Sequence, residues 1–238
     1  MYSTKRSGNW WGKSLYLFWL ILISWTHDGL KAQENFTGYL QPSVALSYKL
    51  SPRVSQNAAL NLRTFYYRDA AYDLQTRQLD AVLFTQYALS GNQTLSFGIQ
   101  YRFRNPFEPE AGNELRLTQQ FNTTLKPAVL RFGHRFRAEQ RIREAGTIHR
   151  FRYRLAIDGP LQGENTDVGE AYWIGSAENL LSVASGNRPE YDLRLTGWIG
   201  WRVTANSKVQ AGPEIRWENF QGETEKVLFW QLSWVSSL

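Results

Sequence analysis

The feature that most constrains this chain is a strict two-residue alternation between Val129 and Ile157. Aromatic and aliphatic side chains occupy one phase of this stretch, and arginines occupy the other. A turn at residues 144–146 divides it, so we predict the two strands of a hairpin. Strands of about a dozen residues exceed the five or six typical of soluble sheets, whereas a tilted strand needs about 9–11 residues to cross a bilayer. The pattern therefore favours two walls of a transmembrane β-barrel, with aromatics towards lipid and arginines towards the lumen.

The same alternation recurs along the rest of the sequence. We predict strands at about residues 37–50, 60–67, 76–89, 95–104, 113–125, 129–143, 147–157, 169–181, 190–203, 208–220 and 226–235. These are eleven segments, but bacterial single-chain barrels have an even number of strands. We therefore expect an all-β, antiparallel, up-and-down transmembrane barrel of twelve strands, with ten as the alternative. The missing strand would lie near residues 20–36, unless the segment at 169–181 is wrongly assigned.

A soluble β-sandwich is the competing architecture. Its strands would also alternate, but they would be shorter and their outward faces would be polar. In a sandwich the arginines would simply be solvated. The length of the strands and the aromatic content of the second face favour the membrane barrel.

The N-terminus has the pattern of an export signal. Basic residues at Lys5, Arg6 and Lys13 precede an apolar run at residues 15–23, which is too short to span a membrane as a helix. We predict a signal peptide at residues 1–32, cleaved after Ala32, and a barrel domain at residues 33–238. An uncleaved N-terminal anchor is the alternative.

Charge and cysteine content narrow the function classes. Without residues 1–32, lysines and arginines fall from 27 to 23 and acidic residues from 21 to 20, so the net charge falls from +6 to +3. Since the mature chain is only weakly basic, the sequence gives little reason to expect a nucleic-acid partner. Since cysteine is absent, disulfides and a lipid-modified cysteine are excluded. We expect export to the outer membrane of a Gram-negative cell, with a soluble periplasmic protein as the alternative.

Catalytic candidates are few. Of the three histidines, His27 belongs to the signal, His134 lies on the predicted lipid face, and His149 begins a strand. An outer-membrane phospholipase needs a serine nucleophile and an orienting polar group beside its histidine. The sequence around His134 and His149 does not show that pattern. Metal-binding spacings such as HExxH are also absent. We therefore assign no catalytic residue, metal or cofactor, and interpret His134 and His149 as interfacial side chains.

The arginines carry the stronger signal. Stacked like charges in a narrow lumen are costly, so acidic partners of matching phase are expected. The predicted lumen charge network contains Arg131, Arg135, Arg137, Glu139, Arg141, Arg143, Arg150, Arg152, Arg154, Glu114, Arg116, Glu178, Asp192 and Glu214, with Glu170 and Glu218 as further candidate acids. Such a network could be a structural plug of salt bridges. The alternative is a lumen that attracts anions, because rings of arginine favour anionic solutes.

Six tryptophans lie outside the signal: Trp173, Trp198, Trp201, Trp217, Trp230 and Trp234. In a membrane barrel most of them are expected at the two membrane interfaces. A sugar-stacking surface is the alternative interpretation.

Four segments resemble a known family. They are YKLSPRVSQNAALNLR (48–63), FGHRFRAEQRIR (132–143), HRFRYRLAIDGPL (149–161) and YWIGSAENL (172–180), the last carrying Glu178. Together they are similar to the domain of unknown function 2490 (DUF2490) family, over roughly residues 36–235. The resemblance implies an outer-membrane barrel of the kind found in Bacteroidota-like genomes. It implies no established activity, so it assigns no catalytic residue.

Taken together, these patterns favour a non-enzymatic outer-membrane barrel, either a narrow porin-like pore or a structural membrane protein. An outer-membrane lipid-modifying enzyme and a barrel subunit of a secretion or uptake complex are the alternatives. The expected partners are outer-membrane lipid and, for an open lumen, a small anionic solute. Nucleic acid is not expected, and the sequence identifies no protein partner.

Overall fold

A computed structural model describes residues 36–238, which belong to one compact unit. The predicted signal peptide at residues 1–32 lies outside the described residues. The strands are β1 (Phe36–Lys49), β2 (Val54–Arg68), β3 (Ala71–Tyr72), β4 (Thr76–Ser90), β5 (Gln93–Phe103), β6 (Glu114–Leu125), β7 (Arg131–Arg143), β8 (Gly146–Pro160), β9 (Ala171–Ala184), β10 (Glu190–Arg202), β11 (Ser207–Glu218) and β12 (Glu225–Ser237). Within this described part, no helical segment has the length and apolarity needed to cross a membrane.

The long strands close into a barrel. Each pairs antiparallel with the next long strand along the chain, from β1 with β2 to β11 with β12. The barrel is closed by β1 and β12, which pair in parallel from Phe36 opposite Lys226 to Ser47 opposite Ser237. The prediction of an all-β, up-and-down barrel is confirmed, with this single parallel pair among the antiparallel ones.

Strand number explains the parallel closure. Twelve strands are present in the described residues, as expected, but β3 has only two residues and pairs only with the end of β2. The wall therefore has eleven long strands, and in an odd-numbered up-and-down barrel the first and last strands run in the same direction. The twelfth strand lies in the link between β2 and β4. The segment predicted at 169–181 is the wall strand β9, which is paired on both sides.

The outer surface of the wall is apolar. On β5, Leu95, Phe97 and Ile99 are each close to half exposed, and on β12 Trp230 and Trp234 are equally exposed. These are the alternating positions that the sequence assigned to the lipid face.

Polar side chains on the outer surface can satisfy one another. Gln119 on β6 and Gln140 on β7 exchange two side-chain hydrogen bonds, of 3.3 and 3.2 Å. Each amide thereby satisfies one donor and one acceptor of the other.

The inward face is polar and charged, so the barrel is inverted relative to a soluble protein. Buried side chains include Asp80, Glu114, Arg116 and Glu139. An apolar cluster also lies inside, where β1, β2 and β12 meet; its members are Tyr39, Phe65, Val227 and Phe229. Because Trp230 points outwards on β12, the pleat turns Phe229 inwards.

Candidate functional site: the arginine-lined lumen

Two adjacent cavities occupy the interior of the barrel, with volumes of about 370 and 420 Å³. Side chains from strands all around the wall line them, and five side chains line both: Gln41, Asn61, Arg152, Arg194 and Arg216. The arginines that line one or both are Arg63, Arg77, Arg102, Arg104, Arg116, Arg135, Arg137, Arg141, Arg143, Arg150, Arg152, Arg154, Arg194 and Arg216.

Positive charge exceeds negative charge in this lumen. Among the described residues, fourteen arginines line the cavities. Eight carboxylates line the cavities or form salt bridges with those arginines: Asp80, Glu108, Glu114, Glu139, Glu178, Asp192, Glu214 and Glu218. The imbalance means that some arginines have another kind of partner.

Most residues of the predicted charge network border these cavities. Arg116, Arg135, Arg137, Arg141, Arg143, Arg150, Arg152, Arg154, Glu178 and Glu214 line them. Glu114, Glu139 and Asp192 form salt bridges with lining arginines. Arg131 lies apart from them, at the start of β7, where its half-exposed side chain pairs with Asp158 at 3.0 Å.

The tightest part of the network is an ion-pair cluster, made of Asp80, Arg102, Glu114, Arg116, Glu139 and Arg141. Arg102 donates to both oxygens of Asp80, at 2.7 and 2.8 Å. Arg141 likewise donates to both oxygens of Glu114, at 3.0 and 2.8 Å. Such bidentate bonds are among the strongest that arginine makes in a protein.

Glu114 is the centre of this cluster. Its side chain is only 3% exposed, and it also pairs with Arg116 and Arg143 and lies 3.9 Å from Arg102. Glu139 bridges the cluster to the next strands, since it lies 3.6 Å from both Arg116 and Arg152. Glu114 alone thus neutralises arginines from β5, β6 and β7.

A second chain of pairs continues around the wall. Arg152 binds Glu178 at 2.5 Å, and Arg194 lies 3.6 Å from the same carboxylate. Arg216 binds Glu214 at 2.5 Å, and Thr196 donates to Glu214 at 3.1 Å. These carboxylates are therefore already shared between neighbouring strands.

Aromatic rings hold further arginines where the barrel closes. The Arg216 guanidinium lies 3.7 Å from the centre of the Phe229 ring, and that of Arg63 lies 4.8 Å from it. Arg77 hydrogen-bonds the Tyr39 hydroxyl. A cation over a ring face is stabilised without a carboxylate.

Three further arginines share another environment, and we call Arg135, Arg137 and Arg154 the open arginine group. Among the described residues, no carboxylate lies within salt-bridge distance of any of them. The Arg137 guanidinium also lies 5.4 Å from the centre of the Phe84 ring. Arg135 donates to the amide oxygen of Asn122 at 3.0 Å, and Arg137 donates to that of Gln120 at 2.9 and 2.5 Å. All three line the cavity of about 370 Å³.

Arg154 has the least support of the three. Its Nε atom is buried and has no hydrogen-bond partner in the described part of the chain. It lies directly opposite Arg135 in the pairing of β7 with β8, so two like charges face each other. The open arginine group is consequently a concentration of positive charge that no acidic side chain in residues 36–238 pairs with in a salt bridge.

A family model described as "Protein of unknown function (DUF2490)" matches residues 40–226. The chain belongs to the DUF2490 family. The match begins within β1 and ends within β12, so it includes part or all of every wall strand. No curated protein and no solved structure matches the chain.

The two histidines in the described residues of this DUF2490 chain, His134 and His149, lie on the outer side of the wall. His134 is within 2.9 Å of the Tyr153 hydroxyl, and the two rings stack. In residues 36–238, no group of three or more histidine or acidic side chains is arranged to hold a metal ion. Arginines are the most numerous charged side chains lining the two cavities of this DUF2490 barrel.

Three further residues considered from the sequence have these positions in the structure. Trp198 lines the cavity of about 370 Å³, because it shares the inward phase of Arg194 and Thr196 on β10. Glu218 lies 3.7 Å from Arg216, within the network. Glu170 lies in the loop before β9, where it accepts the Asp167 amide at 2.8 Å. It belongs to a loop turn and not to the lumen network.

Several residues of this DUF2490 lumen were missed by the sequence reasoning. They are Asp80, Arg102, Asn122, Gln120, Arg194 and Arg216. Each has the inward phase of its strand, so continued alternation along β4, β5, β6, β10 and β11 could have found them. Phe229 and Tyr39 also have the inward phase of their strands, and the same alternation could have identified them.

Proposed function

We propose that this DUF2490 chain is a non-enzymatic barrel of the outer membrane whose narrow lumen attracts small anions. The observation that carries the proposal is an excess of buried arginine inside a closed wall with an apolar outer surface. Outer-membrane lipid is the partner of the outer surface, and a small anionic solute is the partner of the lumen. The export signal predicted at residues 1–32 accounts for delivery to that membrane.

The outer surface supports the membrane assignment. Soluble monomers rarely expose contiguous apolar patches larger than a few hundred Å². Here half-exposed apolar side chains lie on strands around the wall, as with Phe97 on β5, Phe136 on β7, Phe151 on β8 and Leu232 on β12. A hydrocarbon environment makes such a surface favourable.

The direction of the arginines supports the same assignment. An arginine on the lipid side costs roughly 2–4 kcal/mol at the bilayer midplane. Several on one hairpin would exceed the stability of a typical domain, which is about 5–15 kcal/mol. With the arginines inside, a bilayer meets only the opposite phase of β7 and β8.

The charge imbalance supports attraction of anions. Rings of arginine in a pore favour anionic solutes. The cavity of about 370 Å³ combines the open arginine group with neutral hydrogen-bonding side chains such as Ser176, Gln210 and Ser233. The second cavity continues the positively charged path along the lumen.

Cell fractionation tests the location. We expect the chain to fractionate with the outer membrane and to migrate faster on a gel when unheated than when boiled. Recovery as a soluble periplasmic monomer without detergent would contradict the proposal.

Conductance tests the lumen. In a planar bilayer with a potassium chloride gradient, the reversal potential should indicate preference for chloride over potassium. Arg137→Glu should shift that potential towards potassium, whereas Arg53→Glu, in the exposed turn between β1 and β2, should leave it nearly unchanged. Selectivity for cations, or no conductance from correctly folded protein, would contradict an anion-attracting pore.

A further inference from the structure

We propose that the open arginine group is a discrete binding site for a phosphate or sulfate group, either free or carried by a small polar solute. The proposal deepens the proposed function, since the lumen must be reachable from water. It assigns a position and a ligand chemistry that general attraction of anions does not require.

The guanidinium groups have N–H donors to spare. A guanidinium has five N–H donors. In the described residues, Arg135 uses its Nε on Asn122 and Arg137 uses its Nε and one Nη on Gln120, whereas the buried Arg154 Nε has no partner. Because all three side chains line the same cavity, the remaining donors converge on one space.

Neutral amides hold two of these arginines in place. Gln120 donates to Asn122 at 3.1 Å, and Asn122 donates to Thr94 at 3.0 Å. The two amide oxygens that accept from Arg135 and Arg137 are therefore fixed in orientation. An amide positions a guanidinium as a carboxylate would, but it leaves the positive charge uncompensated. Fixed donors with free charge are what a preorganised anion site requires.

The facing arginines of β7 and β8 need a negatively charged counterion. Arg135 faces Arg154 across β7 and β8, and Arg137 faces Arg152. Uncompensated charges in a confined interior are costly. Glu178 and Glu214 line the same cavity, but Glu178 is bound by Arg152 and Glu214 by Arg216. An anion from solution is the remaining source of negative charge.

The donor type and the space favour a tetrahedral oxyanion. The planar fork of arginine matches two oxygens of one phosphate, and several arginines can share the remaining oxygens. A volume of about 370 Å³ lies within the range of small-molecule pockets. Thr196, Gln210 and Gln231 provide neutral hydrogen-bonding groups for the rest of a solute.

Isothermal titration of the full chain, purified in detergent, tests the site. Inorganic phosphate is titrated at ionic strength held constant with sodium chloride. We expect one saturable site per barrel. Arg154→Gln should weaken phosphate binding by about tenfold or more, the usual effect of losing a hydrogen bond to a charged group. Arg131→Gln, on the same strand and phase as Arg135 but already paired with Asp158, should retain nearly the full affinity.

A second ligand separates the two sources of the oxyanion. Glucose 6-phosphate is titrated in the same way. Tighter binding than inorganic phosphate assigns the site to a phosphorylated solute, and equal or weaker binding assigns it to the free ion. Either result supports the oxyanion site. If Arg154→Gln does not fold, Arg135→Lys keeps the charge but loses the planar fork and should weaken phosphate binding in its place.

Absence of saturable phosphate binding in folded wild-type protein would overturn the site. Binding that is unchanged in Arg154→Gln and Arg135→Lys would overturn it equally. Conductance distinguishes this failure from failure of the proposed function. A barrel that prefers chloride in bilayers without binding phosphate lacks the site but keeps the function. A barrel that binds phosphate without conducting keeps the site but is not a pore.

Discussion

The ion-pair cluster and the open arginine group lie on adjoining strands, yet they neutralise arginine in different ways. In the cluster, Glu114 is buried among four arginines, and Arg141 binds it with two hydrogen bonds. In the open arginine group, Gln120 lies directly opposite Arg137 and offers only an amide oxygen. The residue type is the same in both places, and only the partner differs.

This difference shows which arginines stabilise the fold and which remain able to bind an anion. A carboxylate satisfies both the donors and the charge of an arginine, so the cluster contributes to the fold and has little left for a ligand. An amide satisfies donors but not charge, so the open arginine group keeps the capacity to bind an anion. The two regions should therefore respond to mutation with opposite signs.

The largest effect is expected from Glu114→Gln. The substitution removes the charge that four arginines share, and breaking a buried ion pair typically costs about 3–5 kcal/mol. Urea unfolding in detergent micelles should show a loss of stability of that size. Glu110→Gln, in the exposed loop before β6, is the matched control and should change little. Equal stabilities of the two variants would mean that the cluster is not a structural element.

Conversion of one region into the other is a sharper test. Gln120→Glu places a carboxylate opposite Arg137, and a charge-assisted hydrogen bond contributes about 1–2 kcal/mol more than a neutral one. We expect the unfolding midpoint to rise and phosphate affinity to fall. Gln119→Glu, one residue away on the outer surface, should lower the midpoint because its charge would face lipid. A destabilised Gln120→Glu variant would contradict the distinction between the regions.

A smaller effect of unusual sign is expected from Arg154→Gln. Like charges directly opposite one another in a sheet are destabilising, and a favourable cross-strand pair contributes about 0.2–1 kcal/mol, so removal of Arg154 should stabilise the barrel by an amount of that order. Arg102→Gln also removes one positive charge, but it leaves the buried Asp80 carboxylate without its two hydrogen bonds from Arg102. The free energy of unfolding should therefore fall. If both variants lose stability equally, Arg154 is a structural residue like Arg102.

The architecture could largely be predicted from the sequence, because alternation fixes which side chains share a face. The phase of β7 and β8 predicts the separation of Phe136 and Phe151 from Arg135 and Arg152. Closure could not be predicted in the same way. The parallel pairing of β1 with β12 depends on the number of wall strands, and the two-residue β3 has no periodicity to reveal it.

The candidate site could be predicted only as a set of inward-facing charges. Which carboxylate meets which arginine depends on the stagger between strands. Arg154 lies opposite Glu178 in register, for example, but Arg152 forms the salt bridge. The open arginine group is defined by three side chains that have no salt-bridge partner in the described part of the chain, and a local sequence pattern cannot show that a partner is missing.

Thiol labelling tests the central claim most directly, because the chain contains no cysteine and a single one can be introduced at will. Arg154→Cys and Phe151→Cys lie on β8 with opposite phases. In barrels reconstituted into lipid vesicles, a small anionic thiol reagent should modify Arg154→Cys, and only a lipid-soluble maleimide should modify Phe151→Cys. Modification of Phe151→Cys by the anionic reagent, with Arg154→Cys left unmodified, would contradict an arginine-lined aqueous lumen inside a membrane-embedded wall.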